Sequence, residues 1–451
     1  MGQVFQSMRA TILLLIQLIA VRSLLAQNGA VEQLIDKCIE PYVKANNFAG
    51  TVYLAKSGKV LYEKSFGNAI IEGNVPNTNS TKYHLASVSK PFTSTAILIL
   101  EQQGKLSTAD PVSKYLPDFT AGNKITLHHL LSHTSGVVNI NDFPEYNLWS
   151  LTPMSLDSIV RSFQKKPPLF EPGSKYSYSN SNYNVLAYII EKVSGMKYGD
   201  FLKKNIFEQA EMKNTRHHGN AQDIIQNAAT GYMIAGRTDL QRAPYLDWTI
   251  ETGNGSLYST VEDRAKFERS FFTEKILTKA TKEKMFTPNL SEVGYGWYLK
   301  SHLNRKRSYI TGRSPGFSTY FARYPDDEVC VVVLSNLYIP STKEIGESVA
   351  SIVFKEPYVK RTLNDEPLNT EEAKQFTGTY QFGADFFRPN FKMQFTEING
   401  RLACSFGDLI RDGRDEFILR GFWSVIHFDR DPSQKIIGLS FDGVKAARVQ
   451  P

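Results

Sequence analysis

Cysteine is scarce in this chain, which has three such residues among 451. Cys38, Cys330 and Cys404 are far apart, and their number is odd. A disulfide framework of the kind that staples small secreted domains is therefore excluded, and at most one bridge could form, without the sequence choosing the pair. A chain of this length can instead bury large apolar cores in about two or three domains.

Long apolar runs are also lacking, apart from one near the N-terminus. Arg9 precedes an apolar segment over residues 10–21, and Arg22 interrupts the run before the small residue Ala26. The run is shorter than the roughly 20 residues that a membrane-spanning helix needs, so a membrane anchor is the weaker interpretation. The pattern is typical of a secretory signal peptide over residues 1–26. We therefore expect an exported protein, periplasmic or secreted, with no stable membrane span after cleavage.

Long runs of one charge are absent as well. The formal net charge is +7, and loss of the signal peptide with its two arginines would lower it to +5. Because this excess is not gathered into a basic patch, we expect no nucleic-acid partner. The 41% hydrophobic and 22% charged residues are typical of a soluble globular protein.

Strand patterns occur at both ends of the region from residue 27 to 356. The run FAGTVYLAKSGKVLYEKSFGNA predicts a hairpin around Ser57 and Gly58, and TYFARYPDDEVCVVVLSN predicts two strands joined at 325–327. The middle of the region has helical and loop patterns. These features predict an α+β fold, in which an antiparallel sheet built from both ends is flanked by helices.

The composition changes beyond residue 356. Residues 357–371 are polar and contain two prolines, which is typical of a linker. Residues 372–451 contain short alternating runs and an Asn399-Gly400 turn. This pattern predicts a second, small all-β domain.

Ser87 and Lys90 lie in the segment HLASVSKPFTST, at the start of an apolar helical run. At this spacing they share one face of a helix, and a desolvated lysine can take the proton of a serine nucleophile. Spacing alone is a weak signal, because Ser162–Lys165 and Ser194–Lys197 repeat it. The alternative for Ser87 is an ordinary helix cap beside a surface lysine.

Further segments follow Ser87 in order: ITLHHLLSHTSG, EPGSKYSYSNSNYNVLAYIIEKVSG, GNGSLYSTVED, GYGW and GRSPGF. Over roughly residues 30–355 the series resembles the serine β-lactamase and penicillin-binding protein superfamily, in the branch of class C β-lactamases, D-Ala-D-Ala carboxypeptidases of the S12 peptidase type and related esterases. The resemblance implies that Ser87 is the acylated nucleophile and Lys90 its partner. It implies that Tyr178 shuttles protons with a pKa lowered by the nearby cation, and that Asn180 binds the substrate amide and Lys90.

The resemblance breaks at the third motif of the family, which normally reads Lys-Thr-Gly or His-x-Gly. Alignment on the following Pro-Gly-Phe puts Ile310, Thr311 and Gly312 at this motif, without its basic residue. Ile310 cannot hold a substrate carboxylate, and Arg313 is the adjacent cation that could compensate. We expect Thr311, Gly312 and Arg313 to contact the substrate, and the backbone N–H groups of Ser87 and Arg313 to form the oxyanion hole.

Three histidines raise the alternative of a metal site. His129 and His133 are one helical turn apart and His128 is adjacent, but leucines and a serine occupy the positions between them, where a zinc-peptidase motif has its glutamate. The glycine-rich ETGNGSLYST lacks the lysine and helix of a phosphate loop, so its glycines more simply allow the backbone to approach the cleft. We expect neither a metal nor a cofactor.

The resemblance therefore predicts an exported serine hydrolase that forms an acyl-enzyme on Ser87. A peptidase or esterase-like activity is favoured over an efficient β-lactamase, with a small-molecule or peptide acyl substrate, and cell-wall peptides are the class that the resemblance favours. The alternative is a catalytically silent sensor or binding protein of the penicillin-binding type. A third hypothesis assigns the small β domain to a ligand or envelope surface, and the oligomeric state is left open.

Overall fold

The computed structural model describes residues 29–235, 239–364 and 366–449. The predicted signal peptide at residues 1–26 lies outside the described residues. Within the described residues, none of the helices combines the length and apolar character that crossing a membrane requires.

The strands of the first part of the chain are short in its middle and longer at its two ends. In chain order they are β1 (Gly50–Lys56), β2 (Lys59–Phe66), β3 (Asn68–Ile70), β4 (Val75–Pro76), β5 (Tyr83–His84), β6 (Arg216–His217), β7 (Tyr232–Ala235), β8 (Asp239–Arg242), β9 (Leu257–Ser259), β10 (Ser308–Ser314), β11 (Phe317–Tyr324) and β12 (Val329–Ser335).

Most helices lie between the strands of the two ends. In chain order they are α1 (29–44), α2 (Lys90–Gln102), α3 (Leu127–Leu131), α4 (Tyr146–Trp149), α5 (Leu156–Phe163), α6 (Asn180–Ser194), α7 (Tyr198–Leu202), α8 (Val261–Ser270), α9 (Lys279–Met285) and α10 (Thr342–Phe354).

The main sheet joins the two ends of this region. Its five strands run in the order β10-β11-β12-β1-β2, and β1 pairs antiparallel with β12 from Gly50 opposite Ser335 to Lys56 opposite Val329. The apolar residues of β1 and β12 are buried because both faces of the sheet are covered. Helices α1 and α10 pack on one face, and α8 with the helical middle packs on the other. The strand order leaves β10 as an edge strand.

Helix α2 is buried along most of its length, from Lys90 to Leu100. It packs against α6 and α7 within the larger apolar cluster of the structure. An apolar helix of this kind is rigid because neighbours surround it on all sides. Its N-terminal end is therefore a firm support for side chains that line a cleft.

The C-terminal part forms a closed antiparallel barrel. Its strands follow α11 (Thr370–Phe376) and are β13 (Gly378–Phe382), β14 (Lys392–Ile398), β15 (Arg401–Cys404), β16 (Gly407–Arg411), β17 (Glu416–Leu419), β18 (Ser424–Arg430), β19 (Ile436–Phe441) and β20 (Val444–Val449). Each strand pairs with the next, and β13 closes on β20. Aromatic rings fill the interior, where the ring centroid of Phe376 lies 5.0 Å from those of both Phe417 and Phe428.

The predicted α+β class with an all-β C-terminal part is confirmed, with the detail that the all-β part is a closed barrel. The boundaries at 356 and 371 stay a prediction. The three cysteines are free thiols, so none of them forms a disulfide.

Arg361 connects the barrel with the first part of the chain. Its guanidinium pairs with Glu344 of α10 at 2.6 Å and with Asp412 after β16 at 2.8 Å. The ring of Trp423 stacks on that of Tyr42, with centroids 5.6 Å apart. Ionic and aromatic contacts therefore fix the barrel against α1 and α10.

Candidate active site

Ser87 lies in a 3-10 turn, Ala86–Ser89, immediately before α2. Ala86 has a left-handed backbone, with φ +49°, a conformation that costs free energy for a residue with a side chain. The turn leaves Ser87 partly exposed, whereas Lys90, the first residue of α2, is fully buried. The nucleophile candidate is thus open to the cleft and its basic neighbour is shielded from water.

Hydrogen bonds join the four residues that the first two motifs single out. Ser87 Oγ lies 2.7 Å from the Tyr178 hydroxyl, and Lys90 Nζ donates to Ser87 Oγ at 3.0 Å. Lys90 Nζ also donates to Asn180 Oδ1 at 2.8 Å and to the backbone carbonyl of Asn254 at 2.9 Å. An ammonium has three donors, and these three acceptors use all of them. The structure therefore brings Ser87, Lys90, Tyr178 and Asn180 together.

Burial sets the proton affinity of Lys90. Loss of hydration lowers its pKa to about 7, although the negative charge of Glu251 acts in the opposite direction. A lysine with such a pKa has a large fraction of free base at neutral pH. It can then accept a proton from Ser87 across the 3.0 Å contact.

Tyr178 behaves differently from the sequence-based expectation. Burial raises its pKa well above the ordinary value, while its hydrogen bond with Ser87 lowers the pKa only in part. The expected lowering of this pKa is therefore wrong, because desolvation outweighs the hydrogen bond with Ser87. A neutral phenol can still relay a proton, since its oxygen both donates and accepts.

The ring of His133 packs against Tyr178. The two rings stack with centroids 4.5 Å apart, and the backbone N–H of Ser179 donates to His133 Nδ1 at 3.2 Å. Burial, together with the charge of Lys90, holds the pKa of His133 well below its usual range, so the imidazole is neutral. The other two histidines have separate partners: His128 Nδ1 lies 2.7 Å from the Tyr295 hydroxyl, and His129 caps α3.

Strand β10 brings the third motif beside Ser87. A Cβ on Gly312 would lie 2.3 Å from the Leu85 carbonyl oxygen and 3.1 Å from the Ser87 amide nitrogen, so only glycine fits there. On the outer edge of β10, Tyr309 exchanges two backbone hydrogen bonds with Tyr298, at 2.8 and 2.9 Å. Because backbone groups face the same edge at every second residue, the Arg313 N–H points to this edge as well.

The side chains of the third motif lie in different environments. Ile310 is 3% exposed and packs into the apolar core, and Thr311 is half-buried. The exposed Arg313 guanidinium lies 3.9 Å from the ring centroid of Tyr338 and donates to the Tyr338 carbonyl at 3.3 Å. The Arg313 guanidinium, which was expected to compensate for the missing lysine, is therefore stacked on the Tyr338 ring. Within the described part of the chain it makes no hydrogen bond with the Ser87 cluster.

Two groups of the site were not identified from sequence. The Asn254 carbonyl binds Lys90, and Asn141 Oδ1 accepts a 2.7 Å hydrogen bond from Asn180. The glycines around Asn254 in the ETGNG segment could have indicated the Asn254 carbonyl, because they predict a close approach of the backbone. Gly253 has φ +90°, and a Cβ there would lie 2.2 Å from the Tyr183 carbonyl oxygen, so the glycine allows the close approach that the composition predicted.

Known proteins resemble this chain in sequence and fold. The profile of the family described as Beta-lactamase matches residues 35–352. Penicillin-binding protein 4* of Bacillus subtilis (strain 168) is 30% identical over 85% of this chain and 90% of its own length. The teichoic acid D-alanine hydrolase of Staphylococcus aureus is 28% identical over 67% of this chain and 73% of its own length.

A solved structure shares the architecture over nearly the whole chain. The octameric penicillin-binding protein homologue from Pyrococcus abyssi superposes with a TM-score of 0.66 at 24% identity, over 92% of this chain and 99% of that one. This likeness concerns the fold. The family match over residues 35–352 and the 30% identity to the Bacillus subtilis relative show that the chain belongs to the beta-lactamase family.

Proposed function

We propose that this protein is an exported serine hydrolase that forms an acyl-enzyme on Ser87. The observation that carries the proposal is the contact of a fully buried Lys90 with Ser87 Oγ at 3.0 Å, while Tyr178 lies 2.7 Å from the same oxygen. The lowered pKa of Lys90 makes it the base of this pair. Tyr178 is the group through which protons pass to and from the substrate.

In the acylation step, neutral Lys90 takes the proton of Ser87 as Oγ attacks the carbonyl carbon of the substrate. The carbonyl π electrons move to the oxygen, and the backbone N–H groups of Ser87 and Arg313 stabilise this oxyanion. The intermediate then collapses and breaks the bond to the leaving amine or alcohol. The leaving group takes the proton of Tyr178, and Lys90 returns a proton to Tyr178.

Deacylation reverses these proton transfers with water. A water molecule attacks the ester carbon and loses a proton to Lys90 through Tyr178. The second tetrahedral intermediate collapses, the Ser87 oxygen departs and is protonated from Lys90, and the acid product leaves. The enzyme returns to its starting state, and the net reaction consumes one acyl donor and one water.

The third motif bears on the substrate class. Ile310 offers no charge where the family pattern has a lysine or histidine, and Arg313 is stacked on Tyr338. Tight recognition of a leaving group through its carboxylate is therefore disfavoured. Acyl esters and amides whose recognition depends on the acyl part fit better, and the D-alanine hydrolase among the relatives supports D-alanyl donors of the cell envelope as the first class to test.

The first experiment is intact-mass analysis of the purified protein after treatment with a fluorophosphonate, with Ser87→Ala in parallel. An adduct on the wild type alone supports the proposal and leads to a panel of D-alanyl esters, D-amino acid amides, peptides and β-lactams. An adduct of equal yield on Ser87→Ala would contradict the mechanism. A folded wild type with neither adduct nor turnover would favour the silent penicillin-binding-type sensor, which the missing third-motif cation makes the second candidate.

A further inference from the structure

A buried carboxyl group lies near Lys90 and has no part in the mechanism above. Glu251 is 6% exposed and ends the short 3-10 helix Trp248–Glu251. The hydroxyl of Tyr146 donates to Glu251 Oε1 at 2.5 Å. Burying a carboxyl group is costly unless it is hydrogen-bonded or paired, so its position next to a candidate active site requires an explanation.

Glu251 belongs to the turn that holds Lys90. Its carbonyl oxygen accepts hydrogen bonds from the N–H groups of Gly255 at 2.8 Å and Ser256 at 3.1 Å. A Cβ on Gly255 would lie 2.6 Å from Glu251 Oε2, so the carboxyl group folds over this glycine. The residue before Gly255 is Asn254, whose carbonyl accepts the Lys90 ammonium at 2.9 Å. The turn that begins at Glu251 thus carries the carboxylate and also accepts the Lys90 ammonium.

The other groups around Lys90 are uncharged at neutral pH. Tyr178 and Tyr183 place their rings 4.9 and 5.4 Å from Lys90 Nζ, and burial raises the pKa of both. His133 is neutral because burial lowers its pKa. Ser87, Asn180 and the Asn254 carbonyl carry no formal charge. Of the residues that the structure describes, Glu251 is therefore the group that can bring a negative charge to this pocket.

The hydrogen-bonded neighbour of Glu251 is also uncharged at neutral pH. Tyr146, from α4, is its hydrogen-bonded neighbour, and burial chiefly raises the pKa of that phenol, so it stays a neutral donor. Burial also raises the pKa of Glu251 itself, while the Tyr146 bond and the charge of Lys90 lower it in part. The two charges thus stabilise each other within one low-dielectric pocket.

We propose, on the basis of the proposed function, that Glu251 is a positioning residue. From the turn that accepts the Lys90 ammonium, its carboxylate sets the protonation of Lys90, and Tyr146 holds that carboxylate in place. An ionised Glu251 favours the ammonium form of Lys90 and so raises the pH at which the free base appears. When Glu251 is neutral, Lys90 becomes a base at lower pH. The pair therefore determines the pH range in which Ser87 can be acylated.

Glu251→Gln tests this inference because it keeps an oxygen acceptor for Tyr146 and removes the charge. The measurement is the rate of fluorophosphonate labelling as a function of pH. We expect the acid limb of the profile to move to lower pH by about one unit, the low end of the effect of a nearby opposite charge. Tyr146→Phe, which removes the donor that stabilises the carboxylate, should move the limb in the same direction by less.

The matched control is Glu262→Gln, which makes the same charge change at a glutamate whose side chain is 57% exposed on α8. Its acid limb should coincide with that of the wild type. Glu251→Asp, which retains the charge, should return the limb towards the wild-type position. A purely structural role for Glu251 would lower the amplitude or the stability and leave the position of the limb unchanged.

A direct titration keeps this test separate from the proposed activity. Lysine labelled with 13C at Cε reports the pKa of Lys90 by NMR, and the resonance is assigned by its loss in Lys90→Met. A lower Lys90 pKa in Glu251→Gln supports the inference even if no labelling of Ser87 occurs, in which case the proposed function alone fails. An unchanged Lys90 pKa in folded Glu251→Gln overturns the inference. If that variant does not fold, an unchanged pKa in Tyr146→Phe overturns it.

Discussion

Lys90 Nζ donates a 2.9 Å hydrogen bond to the carbonyl oxygen of Asn254, a residue 164 positions further along the chain. The glycines on either side of Asn254 allow this backbone to reach the base of the cleft. A main-chain acceptor cannot be lost by a side-chain substitution at its own position. It holds Lys90 toward Ser87 while leaving the lysine free to change its protonation state.

The pH dependence of the reaction should follow Lys90. Since its pKa is lowered to about 7 and the reaction needs the free base, the rate should be level above this pH and fall below it. The pKa of Tyr178 is raised, so the phenol should not titrate in the same range. The measurement is kcat/KM, or the labelling rate, between pH 5 and 9. A rate that rose on acidification would contradict the assignment of Lys90 as base.

Tyr178→Phe should lower the turnover rate by about 10²- to 10⁴-fold, the contribution typical of a proton-transfer group. The ring and its stacking on His133 remain, so the melting temperature should change little. The measurement is kcat with a cleavable ester. Tyr176→Phe is the control, because Tyr176 is a half-buried phenol of the same loop that contacts the edge of the His133 ring. Equal losses in the two variants would argue against a proton relay through Tyr178.

Gly312→Ala should impair the reaction through the oxyanion hole. The new Cβ would lie 2.4 Å from Thr319 Oγ1 and 2.3 Å from the Leu85 carbonyl, so β10 must move away from Ser87. A displacement of about 1 Å can cost roughly 10²-fold in rate. Gly421→Ala is the control, since its Cβ would meet its nearest atom at 3.6 Å. Labelling rates and melting curves of both variants distinguish lost geometry from lost folding.

Arg361→Met should loosen the barrel. The substitution would leave Glu344 and Asp412 without their cation. The Arg361 side chain is only 7% exposed, and breaking a buried ion pair lowers the free energy of unfolding by about 3 kcal/mol or more. Burial raises the pKa of Glu344, but Arg361 lowers it further, so the net shift is downward. The stabilisation is thus present at neutral pH and lost as the pH falls through the folded pKa.

Urea unfolding at pH 7, followed by tryptophan fluorescence, measures this loss. Lys374→Met is the matched control, because its ion pair with Glu371 is exposed on both sides and is worth less than about 1 kcal/mol. An Arg361→Met variant as stable as the control would mean that the barrel is held by its other contacts with the first part of the chain, such as the stacking of Trp423 on Tyr42 and the hydrogen bond of Arg420 with Asn47.

Several features could be predicted from local sequence because the physics behind them is local. Strand alternation and turn residues identified the hairpin at Ser57–Gly58, and the apolar run after Lys90 identified α2. The pairing of β1 with β12 could also be expected, since apolar strands at the two ends need a partner. Closure of the barrel was not predicted, because alternation indicates strands and not how the outer two meet.

The candidate site also has features that depend on local sequence and features that depend on tertiary packing. The spacing of Ser87 and Lys90 keeps the two side chains within reach across the 3-10 turn that leads into α2, so their contact could be expected from sequence. The pKa of Lys90, the hydrogen bond between Tyr178 and Ser87 and the stacking of Arg313 on Tyr338 depend on burial and on residues distant in the chain. Desolvation and long-range contacts arise only when the chain packs, and for that reason the tertiary structure alone decided which of the proposed proton carriers lie around Ser87 and how strongly they hold their protons.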